Sequence, residues 1–399
     1  MATTHTAAPS RARIAALDVA RGIAILGTLG TNIWIFTDPA GIVGYLETAG
    51  SDPWPQRILM QLAQGKFLGL LSLMFGVGLA IQAASARRAG RAWPGNYRTR
   101  AFLLFVDGLV HFFLVAEFDV LMGYAVVSML VCGVVVSSHR TRMWIAGTAA
   151  VVHMLLVTTV VVALAATPAS EGSSSEPTDI FATGSWWDLV VFRTENLLAF
   201  RAEMIIVVPL TIVMFLAGAA LFDAGVFDER GARLRRKLMV VGGIAAPVDI
   251  AVGLFGGSAG LFASRYAMAP FVAVGLLALI AQWYSTRDRV GTLGGWLQGI
   301  GKTALSCYIL QNVIASVICY GWGFGLAARI DPTYRTQFTV AVYLAVCAIL
   351  VAASRLWLRR FRQGPVEWLW KASFDLLTRG GSDRPETDPQ RAGSGTLHA

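Results

Sequence analysis

With 399 residues, 55% of them hydrophobic and only 14% charged, the chain lies outside the range of an ordinary soluble domain. A net charge of +9 raises nucleic acid as a partner, but the basic residues gather in alternate loops rather than on one face, which excludes a phosphate-binding surface. Apolar runs of bilayer length recur from end to end, so the expected class is all-α: a polytopic integral membrane helix bundle whose first partner is lipid.

The first span is expected over 16–36. From Leu17 onward it reads as a membrane helix, yet Asp18, Arg21, Thr28 and Asn32 follow one another at steps of three, seven and four residues, which puts all four on one helical face. At 1.5 Å per residue this stripe runs for about 21 Å, most of the hydrocarbon thickness. Lipid does not stabilise such a stripe, so it is expected to face other helices or a water-filled cavity. Arg11 and Arg13 ahead of an apolar core resemble a signal peptide, but no A-x-A-like site follows Phe36, and an uncleaved span is expected.

Nine further spans are expected at 63–84, 99–115, 119–137, 142–166, 203–223, 238–256, 261–284, 297–324 and 337–358. Arg87, Arg88, Arg91 and Arg98 follow the second span, Arg140 and Arg142 the fourth, Arg230, Arg233, Arg235, Arg236 and Lys237 the sixth, Arg287 and Arg289 the eighth, and Arg355, Arg359, Arg360 and Arg362 the tenth. The loops between them carry Asp38, Glu47, Asp52, Glu117, Glu171, Glu176 and Asp179. This alternation places both termini in the cytoplasm. No N-x-[ST] sequon occurs, and a bacterial plasma (inner) membrane is the expected location. The chain divides into an N-terminal tail (1–15), a five-helix half bearing the candidate site (16–166), and an extracytoplasmic linker with an interfacial helix (167–202). A second five-helix half with a cytoplasmic amphipathic segment (203–379) and a disordered tail (380–399) complete it.

The third and fourth spans read as a hairpin with His111 about one turn from its outer end. Asp107 lies four residues earlier on the same face, and Asp119 opens the return helix. A neutral histidine accepts a proton from a hydroxyl or amine when a partner fixes its tautomer, and either carboxylate is a candidate for that role. Lys66, Arg201 and Arg265 are candidates to bind an anionic group, with Glu203 beside Arg201; Gln311 and Asn312 fall near the middle of the ninth span. His5, His139, His153 and His398 are given no role. Cys132, Cys307, Cys319 and Cys347 all fall within apolar runs, with no spacing that indicates a metal site or a disulfide.

LDVARGIAILGTLGTNI resembles the opening LDxxRGxAxLGxxxxNI of the YeiB-like membrane proteins, whose C-terminal half is a domain of unknown function (DUF418). The likeness continues through GKFLGLLSLMFGVGLAIQ, GLVHFFLVAEFDVLMGYAV, FLAGAALFDAGVFD, GKTALSCYILQNVI and GPVEWLWK, in the family's order and over nearly the whole chain. Cys307 stands where the family usually has Asn, Lys302 where it has Arg, and Phe118 where it has Gly. The family looks like a branch of the transmembrane acyltransferases that includes the lysosomal heparan glucosaminide acetyltransferase. The resemblance implies transfer of an acyl group from cytosolic acyl-CoA to an extracytoplasmic acceptor, such as a glycan, lipid or small molecule. It implies roles for Asp18, Arg21, Asn32, Lys66, His111, Asp119, Tyr308 and Gln311. The relative's catalytic histidine follows its first-span asparagine, and no histidine lies between Asn32 and Lys66 here.

The expected chemistry is therefore acyl transfer. Phosphates of the donor meet Arg21 and the loop arginines, Asn32 donates to the developing oxyanion, and His111, oriented by Asp119 or Asp107, acts as base. The alternative is a transporter or lipid flippase in which the same polar groups line a path and relay protons. Paired broken helices would mark that alternative.

Overall fold

The computed structural model describes residues 11–48, 52–166, 179–285, 287 and 290–379, and every regular element among them is helical. The expected linker (167–178), the tail from 380 and the first ten residues lie outside the described residues.

The long first helix, α1 (Arg11–Phe36), is followed by a short turn of helix, α2 (Gly41–Glu47). The second expected span starts earlier than its apolar run: α3 (Trp54–Ala63) and α4 (Lys66–Arg88) form one run broken at Gln64 and Gly65, where Gly65 takes φ +73°. The hairpin consists of α5 (Tyr97–Leu114) and α6 (Leu121–Val131). At 11 residues, α6 is only about 16 Å long, shorter than the span expected there. After α7 (His139–Ala166) come α8 (Ile180–Thr183), α9 (Trp186–Glu195), α10 (Leu197–Ala202) and α11 (Met204–Asp223). The expected interfacial helix is thus present as α9 and α10. Ser185 and Asp188 cap α9 reciprocally, and hydrogen bonds from the Ser185 hydroxyl and amide hold the Asp188 carboxyl below its usual pKa.

The second half contains α12 (Ala232–Phe255), then α13 (Gly257–Ala263) joined through a π-helical turn at Ser264–Met268 to α14 (Ala269–Ser285). The ninth expected span is not one helix. α15 (Gly291–Lys302) and α16 (Ala304–Cys319) meet at Thr303 with a bend of 90°. Glycines explain how α15 seats: a methyl at Gly22 would strike the Leu297 carbonyl, and one at Gly301 the Asp18 carbonyl, so α1 and α15 touch backbone to backbone. The chain closes with α17 (Leu326–Arg329), α18 (Arg335–Leu358) and α19 (Pro365–Arg379).

Seven helical runs among the described residues are long and apolar enough to cross a membrane, and the bent α15–α16 pair makes an eighth. Of the expected spans, those at α5 and α6 fall short among the described residues: α5 carries Arg98, Arg100 and Asp107, and α6 has only 11 residues. Large apolar side chains point outward, among them Leu198 (86% exposed), Phe255 (75%) and Leu155 (64%), as a lipid-facing surface requires. Inside, Leu70, Leu73, Phe215 and Leu277 centre one buried cluster, and Leu29, Ile33, Phe36 and Tyr320 centre a second. The protein is a multi-pass membrane helix bundle.

Candidate active site

His111 is the buried centre of the α5–α6 hairpin, 1% exposed. Gly108 is what lets Asp119 approach it: a methyl there would lie 2.6 Å from the Met122 amide nitrogen and 3.0 Å from Asp119 Oδ2. Asp119 caps α6 by accepting from the Met122 amide at 3.0 Å, while its Oδ1 sits 3.1 Å from His111 Nδ1. That second approach stabilises charge, but it lacks the alignment of a regular hydrogen bond. On the other side of the ring, the Asn312 amide nitrogen lies 2.9 Å from Nε2. With Asn312 donating, Nε2 is the basic nitrogen and Nδ1 carries the proton, facing Asp119. The Tyr308 ring packs at 4.9 Å from the imidazole, and its hydroxyl accepts from the Val120 amide at 3.4 Å.

Several polar atoms here are buried without a partner: both amide atoms of Gln311 (0% exposed), Asn312 Oδ1, and Oδ2 of half-buried Asp107. Unpaired buried polar atoms typically cost about 1–3 kcal/mol each, so such a concentration calls for a further partner, whether ordered water or a ligand.

Next to this centre lies a cavity of about 550 Å³. Arg21, Arg100, Lys302, Lys371, Glu367 and Asp375 give it a charged mouth at the end of the bundle that carries the basic loops. Ile25, Leu71, Met74, Phe75, Leu104 and Leu121 form apolar walls, and Tyr308 lines it as well. Tyr308 thus touches both the cavity and His111. One wall is α19, the expected cytoplasmic amphipathic segment, which packs against α5 and α16. Glu367 accepts from the Leu305 and Ser306 amides at 2.8 and 3.2 Å and from the Ser306 hydroxyl, capping α16 at the 90° bend. Glu367, Trp370, Lys371, Phe374 and Asp375 face the cavity, whereas Trp368, Leu369, Leu376 and Leu377 face outward. Arg100 lies over the rings of Trp370 and Phe374, 5.6 and 4.7 Å from their centres, fastening α19 to α5.

The remaining residues singled out in the sequence separate. Asp18 and Arg21 pair at 3.4 Å, and Arg21 reaches the cavity. Asn32, half-buried, makes no hydrogen bond among the described residues and does not line the cavity. The polar stripe of α1 therefore does not converge on His111; the amide that meets the imidazole comes from α16. Lys66 is not at the site either. It is buried, 2.6 Å from Asp249, and donates to the Gln61 and Gln64 carbonyls freed by the α3–α4 break. Arg265 pairs with Glu203 at 2.9 Å, and the Tyr266 hydroxyl donates to the same carboxylate. Arg201 lies over the Phe112 ring at 4.2 Å and donates to the carbonyls of Asp119, at 3.2 Å, and Glu117, so it fixes the hairpin turn.

Arg193 and Glu117 went unread as partners. They form a buried ion pair at 3.2 Å, with Arg193 also donating to the Phe113 and Val115 carbonyls. A charged residue recurring inside WWDLVVFRTE was the available signal. His153, set aside above, lies within 3.1 Å of the Ile206 carbonyl and 2.9 Å of the Tyr266 carbonyl, tying α7 to its neighbours. Among the described residues no group of three or more His, Cys, Asp or Glu side chains is placed to hold a metal ion.

Residues 221–375 match the family described as "Protein of unknown function (DUF418)". The chain is 27% identical to "Uncharacterized protein YxaH" of Bacillus subtilis (strain 168), covering 91% of this chain and 94% of that one. It is 29% identical to "Uncharacterized protein YeiB" of Escherichia coli (strain K12), covering 89% and 94% respectively. The chain is homologous to both.

Proposed function

We propose that this homologue of YeiB and YxaH, with its DUF418 segment, is a membrane acyltransferase that takes an acyl group from a thioester donor such as acyl-CoA, entering at the basic end. The observation that carries this reading is the continuity of cavity, Tyr308 and His111: a charged and apolar cavity reaches the Tyr308 ring, which packs 4.9 Å from an imidazole held between Asp119 and Asn312. Arg21, Lys302, Arg100 and Lys371 attract the donor's phosphates, and by the positive-inside rule this mouth faces the cytoplasm of a bacterial plasma membrane.

The acceptor hydroxyl or amine displaces the Asn312 amide from Nε2 and gives its proton to that nitrogen, while Asp119 stabilises the resulting imidazolium. The acceptor's oxygen or nitrogen bonds to the acyl carbon, the carbon–sulfur bond breaks, and the leaving thiolate takes the proton from the imidazolium. In this reading the unpartnered Gln311 amide nitrogen, and the Asn312 amide nitrogen once displaced from Nε2, donate to the developing oxyanion, the role first assigned to Asn32. Extracytoplasmic acceptors such as a glycan, lipid or small molecule fit a site one turn from the far end of α5. Purified protein in proteoliposomes with radiolabelled acyl-CoA tests the reading. Label moving to an acceptor in wild type but not in His111→Ala supports it, and equal transfer by both removes His111 from the mechanism.

One observation favours a transporter instead. The α3–α4 break at Gly65 abuts the π-helical turn, since a methyl on Gly65 would lie 2.9 Å from Ala269 Cβ and against the Arg265 backbone. Lys66 and Asp249 pair beside the facing interruptions, the arrangement of broken-helix carriers. Solute movement across proteoliposomes without covalent change would establish that reading.

A further inference from the structure

With 15 residues, Glu367, Lys371 and Asp375 among them, α19 is too short and too polar to cross a bilayer. Its two halves meet different surroundings. At about 3.6 residues per turn, Glu367, Trp370, Lys371 and Phe374 share the half turned to the cavity. Trp368, Leu369, Leu376 and Leu377 share the other half, and they are 62, 59, 69 and 58% exposed. Large apolar side chains gathered on one helix face mark a surface that meets something other than water.

The level at which α19 is held says what that partner is. The helix before it, α18, belongs to a run long and apolar enough to span, and it ends at Leu358. The Trp357 indole donates to the Gln363 carbonyl at 2.8 Å, and its ring stacks on Phe361 at 4.4 Å, so the chain turns at once into α19. Glu367 on the amides that open α16, and Arg100 near the start of α5, hold α19 at the basic end of the bundle. Leu356 (62% exposed) and Phe361 (48%) carry the apolar outer surface of α18 up to the turn. Arg359, Arg360 and Arg362 stand exposed beside it, and none forms an ion pair among the described residues.

We infer that the outer face of α19 is a membrane-binding surface, seated in the cytoplasmic leaflet, with Arg359, Arg360 and Arg362 holding anionic lipid headgroups. Trp368 suits the headgroup level and the leucines the acyl boundary beneath it, the division expected of an interfacial helix. The arginines suit an inner leaflet, whose negative surface potential attracts basic residues next to a span. With one face on the leaflet and the other on the cavity, α19 is a wall that both share. The inference stands apart from the acyl-transfer reading, since the same surface would form in an enzyme or a carrier.

The test uses the full chain in nanodiscs of phosphatidylcholine, with or without phosphatidylglycerol. In a Cys347→Ala background a nitroxide is attached at Leu376→Cys, at Trp368→Cys, or at Glu229→Cys in an exposed basic-end loop as the aqueous control. Labels at 368 and 376 are expected to meet oxygen, which partitions into lipid, more than a water-soluble nickel chelate, and the label at 229 the reverse. Amide exchange over 365–379 is expected to be about fivefold or more slower with phosphatidylglycerol, since each arginine at an anionic surface is worth about that factor. Replacing Arg359, Arg360 and Arg362 together by Gln should remove the difference. Nickel access at 368 and 376 in both bilayers puts the face in water and overturns the inference. Shielding from both reagents means that protein, such as a second copy of the chain, covers the face, and overturns it too. Exchange that ignores phosphatidylglycerol and the arginines overturns the headgroup contact, even where the labels lie in lipid.

Discussion

Two buried polar clusters in this bundle are finished differently. Around Asp249, which is 0% exposed, Lys66 pairs at 2.6 Å, the Ser264 hydroxyl donates at 2.8 Å, and the Gln61 amide reaches the carboxylate, the Asp249 carbonyl and Ser264. Around His111, equally buried, Gln311 has no partner at either amide atom, Asn312 is satisfied on one side only, and a cavity begins one aromatic ring away. The first cluster pairs its charges internally, leaves Gln61 Oε1 unpartnered, and ties α3, α4, α12 and the π-helical turn together. The second leaves both amide atoms of Gln311 and Asn312 Oδ1 unpartnered beside a cavity. Burial and charge alone do not separate a structural cluster from a candidate site; the number of unpaired atoms and the adjoining cavity mark the difference here.

This contrast can be broken most forcefully at His111. Replacing it by alanine should cut transfer by about 10²- to 10⁴-fold, the usual worth of a general base, with little change in melting temperature. A large fall in melting temperature would instead put His111 in the structural class. Next, Lys66→Met strands a buried carboxylate and should destabilise by roughly 3–5 kcal/mol, seen as lost folded protein in detergent melts. Joining it to Asp249→Leu should restore most of that loss, because no charge is left without a partner. Gln61→Leu removes donors from Asp249 and Ser264 and should cost about 1–3 kcal/mol. The smallest effect sharpens the comparison most: Gln311→Leu should leave stability within about 0.5 kcal/mol or raise it, because no hydrogen bond is lost, while turnover falls. A Gln311 variant as unstable as the Gln61 one would show that both clusters serve packing.

The hairpin shows how much of the site was legible in advance. His111 and Asp119 lie eight residues apart across a tight turn, so their meeting follows from local geometry, and the sequence offers Asp119 and Asp107 as its two candidate partners. Arg193 with Glu117 was harder to see, because α6, α7 and α8 intervene and the arginine reads as an interfacial residue. Asn32 was favoured as the amide near the base because it shares a stripe with Arg21. A stripe specifies a face, not which neighbour that face meets. Lys66 and Arg265 looked like free cations for an anionic ligand for the same reason. Their carboxylates, Asp249 and Glu203, are supplied by distant segments.

The sequence alone determined the class and roughly where the helices run. Bilayer thickness and the missing water inside it impose run length and helical bonding residue by residue, and arginine placement among the loops is likewise a local quantity. Only tertiary structure decided that α15 and α16 turn at 90°, that α19 folds in to wall a cavity, and that the Asn312 amide, 201 positions away, meets His111 Nε2. Those outcomes depend on which helix faces pack together, and glycines such as Gly22, Gly108 and Gly301 settle that through contacts with backbone far along the chain.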